Sequence, residues 1–156
     1  MSAPAIELAT LEDLDSIAAL NVAAYQEFSD RMTTDGWLSM RNAVQSVRER
    51  FHIAQFLVIR ESDRLRGSVA YCPPGNGDLE IFPPDWAAML LLAVAPEFRG
   101  RGIGKDLASA CIDLARWDGA GVIGLYTSEL MTQAQRLYKS LGFLCDSEIP
   151  RRNGLR

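Results

Sequence analysis

This 156-residue chain has only one histidine and three scattered cysteines. Cys72, Cys111 and Cys145 form no Cys-x-x-Cys pair, which excludes a recognisable zinc site and a disulfide framework and leaves reduced core thiols as the expected state. His52 falls at the end of a predicted helix, where a helix-end or surface role is expected. No metal is expected. Long apolar runs are also missing. No stretch reaches the length that crosses a bilayer, and the N-terminus has no basic segment followed by an apolar core, so the expectation is a cytoplasmic protein with no membrane contact. Excess positive charge is absent as well. With 16 Lys and Arg against 20 Asp and Glu, the net charge of -4 argues against a surface built to hold nucleic acid or anionic lipid. The basic end at 151–156 is too short to change that. Any anion must therefore be bound locally.

No internal repeat or low-complexity tract is visible, and proline and glycine are spread along the chain, so residues 1–156 are expected to form a single domain. Residues 5–9 read as a short strand. Thr10 with Asp13 three positions on marks a helix start, followed by Leu14, Ile17, Ala18 and Tyr25 at helical spacing. A polar break at 29–35 precedes a second amphipathic segment with Trp37, Met40, Val44, Val47 and Phe51 on one face. The runs 55–60 and 67–71, separated by a polar turn at 61–66, read as an antiparallel hairpin. Residues 73–86, rich in proline and glycine, form a long loop suited to covering a site.

The continuous apolar run 89–94 predicts a central strand that Pro96 closes. Leu107, Ala108, Cys111, Ile112 and Ala115 predict a helix ending near Gly119. A strand at 122–126 follows, then a helix at 132–141 stopped by Gly142, then a last strand at 143–149. This order gives an α/β (α+β) fold: a mixed, mostly antiparallel central sheet flanked by helices.

Between the central strand and the next helix stand Arg99, Gly100, Arg101, Gly102, Ile103, Gly104 and Lys105. Glycines let a backbone approach a ligand closely, and the first N–H groups of a helix lack internal partners, so this turn is suited to a diphosphate. Arg99, Arg101 and Lys105 add local positive charge. The simpler reading, a tight connection with solvated cations, fits the same residues. A Walker P-loop does not fit, because Arg99 stands where its first glycine belongs and Asp106 follows Lys105. A dinucleotide fingerprint does not fit either, because the glycines are spaced G-x-G-x-G.

The spacing that does match is [RQ]-x-x-G-x-[GA], carried by Arg99, Gly102 and Gly104. Downstream, Ala134-Gln135-Arg136-Leu137-Tyr138-Lys139-Ser140-Leu141-Gly142-Phe143 matches A-x-x-L-Y-x-x-x-G-F. In these motifs the chain resembles the GNAT superfamily of N-acetyltransferases, most closely over residues 89–145. The resemblance implies acetyl-coenzyme A as cosubstrate, an amine acceptor and no metal. Its pyrophosphate would lie on the amides from Gly100 through Lys105, and its pantetheine arm beside Leu92, Ala93 and Val94. Tyr138 would be the general acid that protonates the leaving thiolate, and the Val94 N–H could polarise the carbonyl. Met131 stands where many members carry asparagine, so the contact at Met131 and Ala134 is expected to differ. The strand 88–94 lacks the carboxylate that often relays the amine proton. Glu80, Asp85 and Glu129 are the remaining candidate bases, each also readable as a surface carboxylate. The family usually has one further strand. Its absence here is expected to reflect a short fold, a shortened chain, or an edge supplied by a second copy in a homodimer. The missing carboxylate and strand also fit an alternative, a noncatalytic acyl-coenzyme A sensor.

Overall fold

A computed structural model describes residues 5–128 and 130–145. Strands β1 (Ile6–Leu8), β2 (Gln55–Glu61), β3 (Arg64–Cys72), β4 (Ala87–Val94) and β5 (Ile123–Gly124) form one sheet in that order. The first four pair antiparallel and β5 lies parallel to β4. Helices α1 (Leu14–Tyr25), α2 (Thr34–Gln45), α3 (Ile103–Trp117) and α4 (Thr132–Ser140) complete the expected order.

Apolar spacing explains which faces meet. Leu14, Ile17, Leu20 and Ala24 form the buried stripe of α1, and with Phe56, Val58, Ala70, Ala88 and Leu90 they make the core on one side of the sheet. On the other side Ile103, Leu107, Ala108, Cys111 and Ala115 of α3 pack against Leu57, Ile59, Val69, Tyr71 and Met89. The helix sits so close to β3 that a Cβ on Gly67 would lie 2.7 Å from Ile103 Cγ2. Arg60 fastens the start of this layout, reaching Glu7 of β1 at 2.7 Å and Asp13 before α1 at 3.1 Å. Asp13 also accepts the Thr10 N–H at 2.9 Å, which is the helix start that the Thr10–Asp13 spacing predicted.

Several boundaries differ from the sequence expectation. The second helix ends at Gln45, and Val47 and Phe51 lie beyond it. Ser46 Oγ donates to the Asn42 carbonyl at 2.6 Å, a local bond that competes with the next helical turn. Strand β3 begins at Arg64, so the hairpin turns on Ser62 and Asp63 alone. Leu65 is buried there, Arg64 is exposed, and Arg66 lies over the Phe98 ring, 4.8 Å from its centroid. Strand β5 spans Ile123–Gly124, shorter than the predicted 122–126, because the chain leaves β4 after Gly124. Of the predicted last strand, Phe143, Leu144 and Cys145 are not in a strand, and 146–149 lie outside the described residues.

Cys72 and Cys111 are buried free thiols, raised to about 11 and about 12 chiefly by burial, and Cys145 is exposed. Cys72 and Cys111 hold the reduced core role expected of them, whereas Cys145, at the surface, does not. Among the described residues no group of three or more His, Cys, Asp or Glu side chains could hold a metal ion. None of the described helices is long and apolar enough to cross a membrane.

Candidate active site

The site begins where two parallel strands part. Strand β5 pairs with Ala87 and Ala88 only, so from Met89 onward that edge of β4 has no strand beside it among the described residues. The Ala95 N–H donates to the Arg66 carbonyl of β3 at 2.8 Å. By strand alternation Ala93 also turns its polar backbone toward β3, whereas Leu92 and Val94 turn theirs to the open edge. Two of the three predicted strand positions therefore face the slot, and Ala93 faces away from it.

Upstream, β4 carries one residue too many for β3. Ser68 pairs with Ala93 and Ala70 with Leu90, leaving Val69 opposite both Leu91 and Leu92. Leu91 absorbs the extra residue at φ +57°, a left-handed conformation uncommon for a residue with a Cβ. The Tyr25 hydroxyl, from the last residue of α1, donates to the Leu92 carbonyl at 3.0 Å. Burial, and next the neighbouring Tyr138 and Tyr126, push the Tyr25 pKa up, so it stays protonated.

The open edge leads to the glycine turn. Gly102 caps α3 at φ +81° with no side-chain hydrogen bond, and a Cβ there would meet nothing within 4 Å. The intrahelical ladder starts with the Asp106 N–H donating to the Gly102 carbonyl at 2.9 Å. The preceding amides of Ile103, Gly104 and Lys105 are thus the outward donors of the helix start. Gly104 serves packing, since a Cβ there would lie 3.3 Å from Leu137 Cδ2 of α4.

The cations of the turn divide. Arg99 is committed to α1: Nη1 pairs with Glu27 at 2.6 Å and Nη2 donates to the Ala24 carbonyl at 2.8 Å. Its guanidinium thus tethers the turn to the end of α1 and the segment after it. Arg101 lies over the Phe98 ring, 5.4 Å from the centroid, and Lys105 is exposed. Among the described residues neither has a carboxylate within ion-pair distance.

Tyr138 is half-buried on α4, its ring edge-on to Phe143 at 5.9 Å. Burial, with a smaller contribution from Cys111, raises its hydroxyl to about 12, so it carries its proton at neutral pH. Ala134 is half-buried on the same helix. Met131 joins Leu91, Tyr25, Phe28 and Trp37 around the buried Met32, Met40, Val44 and Leu130, making an apolar wall beside the bulge. The long loop packs rather than hangs free: Phe82 is buried and stacks on Tyr126 at 6.0 Å, and both it and Trp86 close on Gly124. Asp85 and His52 are exposed, the Asp78 carboxylate accepts the Glu80 N–H, and Glu129 lies outside the described residues.

Sequence reasoning read Tyr25 only as part of an apolar stripe and did not notice Glu27. The available signal was a phenol, whose polar tip needs a partner, placed where the stripe ends and the polar break begins.

A forked sheet whose open edge runs into an uncapped, cation-flanked helix start defines a coenzyme A-dependent acyltransferase fold. Residues 14–143 match the model of the acetyltransferase (GNAT) family, and the chain belongs to that family. It is 30% identical over 132 residues to a mycothiol acetyltransferase of Renibacterium salmoninarum, a match covering 80% of this chain and 36% of that protein. The chain spans little more than a third of the length of the curated relatives it matches. The PaiA N-acetyltransferase of Thermoplasma acidophilum, solved in complex with coenzyme A, superposes with a TM-score of 0.77 at 16% identity over 99% of this chain and 96% of that one. A GNAT acetyltransferase of Brucella melitensis, solved with acetyl-CoA, gives 0.67 at 18% identity over 99% and 96%.

Proposed function

We propose that this chain moves the acetyl group of acetyl-coenzyme A directly to an amine. The observation that carries the reading is the edge of β4 from Met89 to Val94, which no strand pairs among the described residues and which leads into the uncapped amides of α3. An extended pantetheine arm can complete such an edge with the hydrogen bonds that a strand would make, at Leu92 and Val94. The pyrophosphate then falls on the amides from Gly100 through Lys105, with Arg101 and Lys105 supplying charge. Met131 and Ala134, at the start of α4, would contact the same ligand.

The amine attacks the acetyl carbonyl, its oxygen gathers negative charge, and main-chain N–H groups at the slot stabilise that charge. When the carbon–sulfur bond breaks, Tyr138 gives its proton to the thiolate, a role suited to a hydroxyl that is neutral in the resting protein, and the proton that the nitrogen sheds as the amide forms passes to solvent and restores the phenol. Incubating the protein with acetyl-coenzyme A and a panel of amines tests this. Release of free thiol dependent on both substrates is expected, and thiol release that never exceeds the protein-free rate would overturn it.

One observation favours a second reading. Strand β4 carries no ionisable side chain, so no residue on it takes the proton of an ammonium acceptor. A noncatalytic acyl-coenzyme A sensor has no need of one. Tight binding of acetyl-coenzyme A without thiol release would select the sensor.

A further inference from the structure

Two adjacent residues at the end of α1 reach the open edge and the turn that follows it. Tyr25 donates to the Leu92 carbonyl at 3.0 Å, beside the bulge, and the Ala24 carbonyl accepts from Arg99 at 2.8 Å, at the glycine turn. The surroundings of the Tyr25 ring are apolar, with Phe28 edge-on at 6.4 Å and Val22, Trp37, Leu91 and Met131 in the same cluster. A phenylalanine would fill that space equally well. The hydroxyl therefore exists for its one bond, and that bond ends on the residue following the strained Leu91.

Bulges set which residues of a strand face which way. If Leu91 relaxed to ordinary extended backbone, the extra residue would move along β4 and the alternation beyond it would shift by one, turning Leu92 toward β3. A hydrogen bond from outside the sheet to the Leu92 carbonyl opposes that shift.

We propose that Tyr25 is a positioning residue for acetyl transfer: its bond to the Leu92 carbonyl holds the β4 bulge so that outward-facing backbone amides meet the thioester carbonyl. This rests on the acetyl-coenzyme A reading above. Tyr25 touches no reacting atom in this role, because its hydroxyl proton is engaged on the Leu92 carbonyl. Its effect is on alignment, so it should act on the transfer step and spare the binding of coenzyme A, which is held by the turn.

The test compares wild type, Tyr25→Phe, Leu91→Gly and the double variant. Affinity for coenzyme A is measured by calorimetry, and acetyl-coenzyme A labelled with 13C at the carbonyl is observed bound to each protein. In wild type the carbonyl signal moves downfield on binding, as hydrogen bonding polarises it. In Tyr25→Phe that movement should shrink, while coenzyme A affinity stays within about twofold and thiol release falls roughly tenfold to a hundredfold with KM for acetyl-coenzyme A unchanged. Glycine holds a left-handed conformation unaided. The step from Leu91→Gly to the double variant should therefore cost much less than the same change in wild type.

An unaltered carbonyl signal in Tyr25→Phe overturns the proposal, as does an equal cost in both backgrounds. Weakened coenzyme A affinity with the signal intact also overturns it, and marks a general structural role. If wild type itself binds no coenzyme A, the functional reading fails and this inference fails with it. Binding without any carbonyl movement in wild type refutes the positioning role and leaves cofactor binding standing.

Discussion

Arg99 and Glu27 form an ion pair at 2.6 Å that ties the first residue of the glycine turn to the segment just after α1. The residue that opens the [RQ]-x-x-G-x-[GA] spacing is thus spent on holding the turn, and the charge left facing solvent beside it belongs to Arg101 and Lys105.

This division predicts different responses to removing each cation. Arg101→Ala and Lys105→Ala should each weaken coenzyme A about fivefold to tenfold at low salt, with the difference shrinking as ionic strength rises. Arg99→Ala should chiefly lower stability, by about 1 kcal/mol, with a change in affinity that salt hardly alters. Calorimetry at two salt concentrations and urea titration read both. A salt-sensitive loss at Arg99 equal to that at Arg101 would count against the tether.

Gly102 is open to solvent and left-handed, so a side chain there meets the ligand rather than the protein. Gly102→Asp should fold with a loss of about 1–2 kcal/mol from backbone strain. Its affinity for coenzyme A should drop on the order of a hundredfold, because a carboxylate opposes the phosphates at the amides that hold them. A folded Gly102→Asp protein that binds as wild type does would remove the turn from the site.

For Tyr138 the predicted sign is set by a hydroxyl raised to about 12. The protonated form is the active one, so the Tyr138-dependent part of the rate persists across neutral and moderately alkaline pH and is lost only as pH rises through that value. Tyr138→Phe should lower kcat by roughly a hundredfold with little change in coenzyme A affinity. A Tyr138-dependent fall in kcat beginning near neutral pH would show that its proton leaves far too easily for this role.

Asp13 predicts the acid limb of stability. The Arg60 guanidinium, then the Thr10 N–H, hold its carboxyl below the usual aspartate range. A carboxylate with a depressed pKa contributes stability above its unfolded pKa and loses it as pH falls through the folded one. Asp13→Asn should therefore cost about 2 kcal/mol near neutral pH, and the gap to wild type should close in strong acid. Urea titrations at neutral and acidic pH measure it, and a gap independent of pH would disprove the charge-based account.

Much of this was legible before any coordinates. Helices α1 and α3 announce themselves because one apolar stripe each faces the sheet, and the hairpin because alternation and a polar turn agree. The glycine turn was legible for the same reason, since backbone demand leaves a residue signature. What could not be read depends on contacts distant in sequence. The early end of α2 rests on one Ser46 hydroxyl. The shortness of β5 rests on where the chain turns away from β4 after Gly124, which no apolar run records. The bulge is invisible in Leu90-Leu91-Leu92, because leucines look alike whether or not one is left-handed. Tyr25 was hidden because its ring obeys the helical pattern and only its hydroxyl departs from it.

The central claim is that the open edge of β4 and the start of α3 together hold coenzyme A. Titrating isotopically labelled protein with coenzyme A and following every backbone amide tests it most directly. The largest perturbations should fall on Leu92, Val94 and the turn from Gly100 through Lys105, with β1 and β2 nearly unmoved. Saturable binding whose perturbations bypass those amides, or no perturbation at all, would contradict it.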